Sequence, residues 1–455
     1  MTDKLALLAN FDSLNAQQKR EFTKEFLRNR ARSESSLGDS SLRVIDEGYY
    51  NFALDPNILG LRAQHADLAA GGRRTNPYFQ INESIARGTT IIAGRQYVNF
   101  ANYNYLGLSG EPAVSQAAKD AVDRYGTSVS ASRIASGERP VQGELEREIA
   151  QMMDVENCVV FVGGHATNVS TIGHLFGRND IIFYDELAHN SAIQGALLSG
   201  ARRVRFPHND WKALDRLLED RRLNYDRALI FIEGVYSMDG DFPDIPRFVE
   251  LRNRHKTYLM IDEAHSLGIL GKNGGGVREH FGLSGSDADL WMGTLSKTLA
   301  SCGGYIAGCE ELVEYLKYSA PGFLYSVGIP SSGAAAALAA LRLMKSEPER
   351  VATLRSRSKL FLELAHQNGL NTGNANETAI VPIIIGDSKK CIDLSNALFD
   401  RGINVQPVLY PVVNENVSRL RFFLTSVHTE DQIRQTVEAV AEELQRLTAS
   451  PSKLA

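Results

Sequence analysis

Between residues 157 and 304 one pattern recurs: a short apolar run that stops beside a residue able to do chemistry. Cys158-Val159-Val160-Phe161-Val162 runs into Gly163-Gly164-His165, and Ile181-Ile182-Phe183-Tyr184-Asp185 leads to His189. Ala228-Leu229-Ile230-Phe231-Ile232-Glu233 precedes Ser237, Tyr258-Leu259-Met260-Ile261 ends in Asp262, and Leu290-Trp291-Met292-Gly293 delivers Thr294, Ser296 and Lys297. Apolar runs this short and continuous read as strands buried on both faces, and alternation with helical text makes a large α/β domain. A doubly wound sheet binds its ligand at the C-terminal ends of its strands, so the pattern brings these segments to one place.

A lone lysine is usually solvated. Lys297, however, follows a strand directly and is itself followed by Ser301-Cys302-Gly303-Gly304, small residues that leave room for a bulky partner. A strand-end carboxylate, Asp262, with His265 three residues on, completes the constellation of a pyridoxal phosphate (PLP) enzyme. In such a site lysine supplies the imine-forming amine, and aspartate keeps a pyridine nitrogen protonated so that the ring acts as an electron sink. Gly163-Gly164-His165 opening a helix suits a dianionic phosphate, although alone a Gly-Gly start is more often a turn.

Thr294-Leu295-Ser296-Lys297, Asp262-Glu263-Ala264-His265 and Glu233-Gly234-Val235-Tyr236-Ser237-Met238-Asp239-Gly240-Asp241 resemble the α-oxoamine synthase family of fold-type I PLP enzymes from about Tyr97 onward. That resemblance implies a large doubly wound mixed-sheet domain, a smaller α+β C-terminal domain and, outside the similarity, an N-terminal helical extension. It implies that Gly164 and His165 hold the cofactor phosphate, that Thr294 also meets the cofactor, and that His189 stacks on its ring; the plainer reading of His189 is a helix cap. By the same likeness Ser237 and His265 meet the phenolic oxygen, Asp262 the ring nitrogen, and Lys297 the aldehyde. Ser326 would reach the phosphate of a neighbouring subunit, making the site shared in a homodimer. The catalytic set is Lys297, His189, Asp262 and His265.

For the substrate, Arg421 in Ser418-Arg419-Leu420-Arg421-Phe422-Phe423 matches a carboxylate-binding arginine, whose planar fork gives two parallel hydrogen bonds. Asn104 is a candidate polar contact or, equally, a turn asparagine. Ser132 lies in Tyr125–Gly137, similar to the family's glycine-rich substrate loop but with serine and alanine in place of most glycines. The implied reaction condenses an α-amino acid with an acyl thioester and loses carbon dioxide, giving an α-aminoketone and free thiol. The donor is acyl-CoA or an acyl carrier protein, the turn Gly137-Glu138-Arg139-Pro140 resembling synthases of polyketide pathways.

Length and composition agree. A chain of 455 residues, 43% hydrophobic, exceeds one compact core, so several domains are expected: 1–75 as extension and linker, 76–112 with a hairpin turning at Ala93-Gly94, 113–340 binding the cofactor, and 341–455. In the extension, Phe11, Leu14, Phe22, Phe26 and Leu27 recur at helical spacing, and Ser33–Ser41 reads as a linker. It is a dimer-covering arm or a docking element for a carrier protein. A net charge of −5 gives no nucleic-acid footprint, and Arg202-Arg203-Val204-Arg205 reads as a solvated basic spot. Cys158, Cys302, Cys309 and Cys391 lack metal-ligand spacing, so no metal is expected, and the first three sit in runs expected to be buried. No apolar run approaches about 18 residues, so a cytoplasmic enzyme without a membrane span is expected.

Two rivals share some of these signals. Another fold-type I enzyme, such as an aminotransferase, would use the same lysine, aspartate and phosphate site. Asp262-Glu263-Ala264-His265 also spells a helicase box, but Gly268-Ile269-Leu270-Gly271-Lys272-Asn273 has neither the spacing nor the hydroxyl of a phosphate loop.

Overall fold

The computed structural model describes residues 45, 47–69, 77–410 and 412–449. The chain divides into two compact units, Met1–Gln80 and Ile81–Ala455. In the first, two short turns, Glu47–Tyr49 and Phe52–Leu54, precede a helix over Pro56–Ala69. The expected helix around Phe11–Leu27 and the linker Ser33–Ser41 lie outside the described residues.

The second unit opens with a hairpin, β1 (Thr89–Ile92) and β2 (Arg95–Asn99). Its turn residues Ala93 and Gly94 both have positive φ, 49° and 71°, the pair of left-handed conformations that matches strand twist. The central sheet has seven strands in the order β3-β9-β8-β7-β6-β4-β5. They are β3 (Asn157–Phe161), β4 (Ile181–Asp185), β5 (Arg202–Phe206), β6 (Ala228–Glu233), β7 (Tyr258–Asp262), β8 (Leu290–Thr294) and β9 (Gly304–Gly308). Strands β4 to β8 run parallel, and β9 runs antiparallel to both β3 and β8, so the sheet is mixed.

The apolar run of β6 before Glu233 has a direct cause. Leu229 and Phe231 pack into the core on one sheet face and Ile230 and Ile232 into that on the other. Helices cover both faces, and the alanine-rich helix Ser331–Ser346 packs closely on Pro112–Tyr125 and Pro140–Met153 through small, buried side chains.

Strand β10 (Ile380–Ile384) pairs with β13 (Arg419–Phe423), which pairs with β12 (Gln406–Val408). Residues Ile403–Val408 form two short strands. Buried Val405 separates β12 from β11 (Ile403–Asn404), which adds in parallel to β2 of the hairpin. The last helix, Glu430–Ala449, starts as expected at Thr429, whose hydroxyl accepts from Gln432 N–H at 3.2 Å while Gln432 Oε1 accepts from Thr429 N–H at 3.0 Å.

Arg202-Arg203-Val204-Arg205 lies in edge strand β5, with Val204 and Phe206 buried and the arginines exposed, in keeping with a solvated basic spot and with an edge kept from pairing. One expectation is corrected. Cys302 and Cys309 are exposed, whereas Cys158 and Cys391 are buried, and all four are free thiols. Among the described residues no helix is long and apolar enough to cross a membrane, and no cluster could hold a metal ion.

Candidate active site

The ladder β6-β7-β8 sets Glu233 opposite Asp262 and Asp262 opposite Met292. Lys297 lies three residues beyond β8. These strand ends open into a cavity of about 280 Å³ lined by Lys297, Asp262, His265, His189, Gly164, His165, Ser237, Thr294 and Arg421. A larger cavity of about 990 Å³ lies at the opposite strand ends beside Tyr258, Leu290 and Gly308. There the guanidinium of Arg252 is already spent on Asp289 at 2.6 Å, so the chemistry belongs to the smaller cavity.

Burial pushes the Lys297 amine down to about 8, against the pull of Asp262 and Glu233. A neutral amine is therefore accessible near physiological pH. Asp262 accepts from Ala264 N–H and from Asn168 Nδ2, both at 2.9 Å. Asn168 Nδ2 also donates to Ser191 Oγ at 2.9 Å, and Ser191 Oγ shares a 2.7 Å hydrogen bond with His189 Nδ1. The His189 main chain donates to Glu233 Oε1 at 2.6 Å, and its ring accepts from Ser191 N–H to cap the helix Asn190–Ser199. His189 is thus a cap and a cavity wall at once, and burial lowers its pKa. Burial lowers that of His265 further, leaving a neutral imidazole whose Nδ1 shares a 2.7 Å bond with the Tyr105 hydroxyl. Glu233 moves the other way, raised by burial and by Asp262.

The helix Gly164–Leu175 starts without a side-chain cap at Gly163, and its first internal bond is Thr167 N–H to Gly163 O at 2.9 Å. The N–H groups of Gly164, His165 and Ala166 precede that bond and point out of the helix. A Cβ on Gly164 would lie 2.9 Å from Thr294 Oγ1, so only glycine allows the helix this close to β8. Amides, the Thr294 hydroxyl and the dipole suit a phosphate, Asp262 suits a protonated ring nitrogen, and Lys297 suits an aldehyde. The residues present therefore fit PLP.

Arg421 Nη1 donates to Ser237 O at 2.9 Å, and its guanidinium stacks on Phe423 at 4.5 Å. Its Nε is buried without a partner, whereas Arg419 on the same strand is consumed by Asp239 at 2.7 Å. Arg421 is the arginine with a donor left for an incoming carboxylate.

Three expected residues lie outside this cavity. Asn104 is buried in its turn, donating to Ala86 O at 2.9 Å and accepting from Ser109 N–H at 3.0 Å, so the turn reading describes it. Ser132 begins a wide helical turn over Arg133–Gly137, and Ser326 Oγ donates to Val327 O at 3.2 Å. Conversely, Tyr103, Asn168, Ser191 and Glu233 line the cavity without having been singled out. Asn168 was legible as the residue one helical turn after Gly164, and Glu233 as the last residue of its strand.

A family model for aminotransferase class I and II matches residues 95–440. The 8-amino-7-oxononanoate synthase of Geobacter sulfurreducens is 40% identical over 360 residues, 78% of this chain and 91% of the relative. The serine palmitoyltransferase of Sphingobacterium spiritivorum is 37% identical over 362 residues, covering 79% and 90%. Among solved structures, the Sphingomonas wittichii serine palmitoyltransferase superposes with a TM-score of 0.82 at 28% identity, over 86% of this chain and 98% of that one. The strand-end lysine, aspartate and phosphate cradle, together with these likenesses, place the chain in the aminotransferase class I and II family, among its PLP-dependent α-oxoamine synthases.

Proposed function

We propose that the chain catalyses the decarboxylative condensation of an α-amino acid with an acyl thioester, giving an α-aminoketone, carbon dioxide and free thiol. The observation that carries this is one cavity holding Lys297, Asp262 and a buried arginine with an unspent donor, Arg421.

Bound there, PLP supplies an electron sink for charge developing on the amino acid's Cα. The amides of Gly164 and His165, with Thr294, would hold its phosphate, and Ser237 and His265 would meet its phenolic oxygen. Asp262, oriented by Asn168 and Ala264, would hold the ring nitrogen's proton in place. His189 covers the ring and keeps water off it. Arg421 fixes the amino acid's carboxylate, which orients the Cα–H bond toward Lys297. Lys297, with a pKa near 8, takes that proton and later returns one. Between these two transfers a Cα–C bond forms to the thioester carbonyl, the C–S bond breaks with departure of thiolate, and the carboxylate leaves as carbon dioxide.

Ser132 and Ser326 lie outside the cavity of their own chain, on a surface that exposes Ile134 (52%), Tyr325 (86%) and Val327 (48%). We assign that surface to a homodimer in which Ser326 completes the cavity of the second copy. The acyl donor is acyl-CoA or an acylated carrier protein on this reading, and the enzyme is cytoplasmic, in keeping with four free cysteines.

The test is incubation of the PLP-loaded protein with amino acids and either acyl-CoA or an acylated carrier protein. Release of carbon dioxide and thiol in equal amounts supports the reading. Transfer of the amino group to an oxoacid, without carbon dioxide, overturns it.

A further inference from the structure

Beyond the end of β5, the chain lays an imidazole between two carboxylates that belong to different segments of the site. His208 Nδ1 lies 2.9 Å from Asp185 Oδ1, and Nε2 lies 2.8 Å from Asp241 Oδ2. Carboxylate oxygens only accept, so each ring nitrogen carries a hydrogen and the ring is an imidazolium. Asn209 spans the same pair, its N–H donating to Asp185 Oδ2 at 2.8 Å and its Nδ2 to Asp241 Oδ2 at 3.1 Å. None of these four residues lines the cavity.

What they join does line it. Asp185 ends β4 and turns the chain toward His189: its Oδ1 also accepts from Leu187 N–H, and its carbonyl from Ala188 N–H, both at 2.9 Å. Asp241 closes a tight turn that starts at Tyr236, whose N–H donates to Asp241 O while Gly240 N–H returns to Tyr236 O, again at 2.9 Å each. In that turn Ser237 faces the cavity, and its carbonyl accepts from Arg421 Nη1 at 2.9 Å. Met238 O and Asp239 take Arg419 at 3.0 and 2.7 Å. Thr378 Oγ1 donates to Gly240 O at 2.7 Å, and a Cβ on Gly240 would fall 2.0 Å from Ile380 O, so the turn is pressed against β10. Both arginines of β13 thus lean on a turn that the imidazolium ties back to β4.

We propose that His208 is a positioning residue: by joining Asp185 to Asp241 it fixes the Tyr236–Asp241 turn against the segment that carries His189, and so places Arg421 for the carboxylate of the amino acid. The proposal rests on the condensation reading above, because it needs an amino acid whose carboxylate meets Arg421. A side chain that reaches only one of the two aspartates frees the turn of a charge-assisted bond. The error then appears at the guanidinium, not at Lys297 or the phosphate cradle.

The test uses holoenzyme of wild type, His208→Asn, Arg421→Ala and the double variant. Asparagine sets its amide nitrogen where Nδ1 stands, which keeps Asp185 in reach and releases Asp241. The common amino acids are screened against wild type by calorimetry, and the tightest binder is compared with the amine that differs from it only in lacking the carboxylate. His208→Asn should weaken the amino acid by about tenfold, the scale of one bond to a charged group, and leave the amine unchanged. In the Arg421→Ala background the same substitution should cost the amino acid nothing further, because a residue that acts through another falls silent once that other is gone. The ratio of the two ligands is insensitive to a general loss of folded protein, and PLP uptake by each variant confirms an intact cradle. Asp241→Asn cuts the same link from its other side and should repeat the selective loss, so the proposal is tested even where His208→Asn does not fold. Equal losses for amino acid and amine, or a full loss added to that of Arg421→Ala, overturn the proposal while leaving the condensation reading standing. A wild type that takes PLP but binds no amino acid overturns both.

Discussion

Asn168 Nδ2 stands 2.9 Å from Asp262 Oδ2 and 2.9 Å from Ser191 Oγ, so one amide ties the carboxylate at the end of β7 to the serine that steadies His189. An amide nitrogen can only donate, which obliges that oxygen of Asp262 to accept. The two residues assigned to the ring nitrogen and the ring face are thereby coupled through a third that touches neither role directly.

Asn168→Leu removes this donor while keeping much of the volume. A hydrogen bond to a charged group is worth about 1.5–3 kcal/mol, so PLP affinity should fall by roughly ten- to a hundredfold. Equilibrium dialysis of the cofactor measures it. Retained affinity would show that Ala264 N–H alone suffices to hold Asp262.

Lys297 yields a pH prediction. Its amine titrates near 8 in the folded chain, against an ordinary 10.5, because burial disfavours the charged form. Borohydride trapping of PLP on the apoprotein should therefore rise with pH and level off above about 8. The stability linkage follows from the same depression: between about 8 and 10.5 the unfolded chain binds the extra proton, so this group's contribution to stability increases with pH across that window. Lys297→Met should raise the apoprotein's unfolding midpoint at pH 7 and abolish trapping. A midpoint that falls would mean the amine is paired and comfortable in the apoprotein.

The strands that build the site were legible because their text has one cause. Residues buried on both faces of a sheet are apolar up to the strand's end, as in Ala228–Ile232 before Glu233 and Leu259–Ile261 before Asp262. Strand β5 hid because exposure at the sheet edge let arginine occupy three of its five positions. Strand β9 hid in Gly304–Gly308, where glycines 304 and 308 face Gly164 and Asp289 too closely for a side chain, so it lacks a β-rich signature. Asn104 was ambiguous because a turn asparagine and a substrate asparagine share one letter; its four turn partners exist only in three dimensions. Tyr103 carries no local signal as a cavity-lining residue either, since the ring it packs against, Phe423, lies more than three hundred residues away.

His208 lies between two aspartates, with Nδ1 2.9 Å from Asp185 and Nε2 2.8 Å from Asp241. These bonds outweigh burial and raise the imidazole to about 10, from an ordinary 6.5. A raised folded pKa stabilises fully below about 6.5 and is lost as pH climbs through about 10. His208→Phe leaves two carboxylates facing each other and should cost about 3 kcal/mol at pH 7, read from urea unfolding. The penalty should shrink as pH approaches 10. A cost that does not change with pH would place the effect in packing against Tyr236, whose ring lies 4.5 Å from His208.

Arg421 and Arg419 differ in what is left to give. Arg419 is spent on Asp239 and two carbonyls, whereas Arg421 keeps a buried, unpartnered Nε above the Phe423 ring. Burial lowers its pKa from arginine's ordinary value, yet guanidinium keeps its proton where an ammonium in the same place would lose it more readily. Arg421→Lys should therefore forfeit both the second parallel hydrogen bond and part of the charge. The expected result is a rise in KM for the amino acid of roughly thirtyfold, about 2 kcal/mol, with PLP affinity unchanged. A matching drop in kcat at unchanged KM would mean instead that the arginine meets the carboxylate only as it departs, and the binding role assigned to Arg421 would pass to another donor.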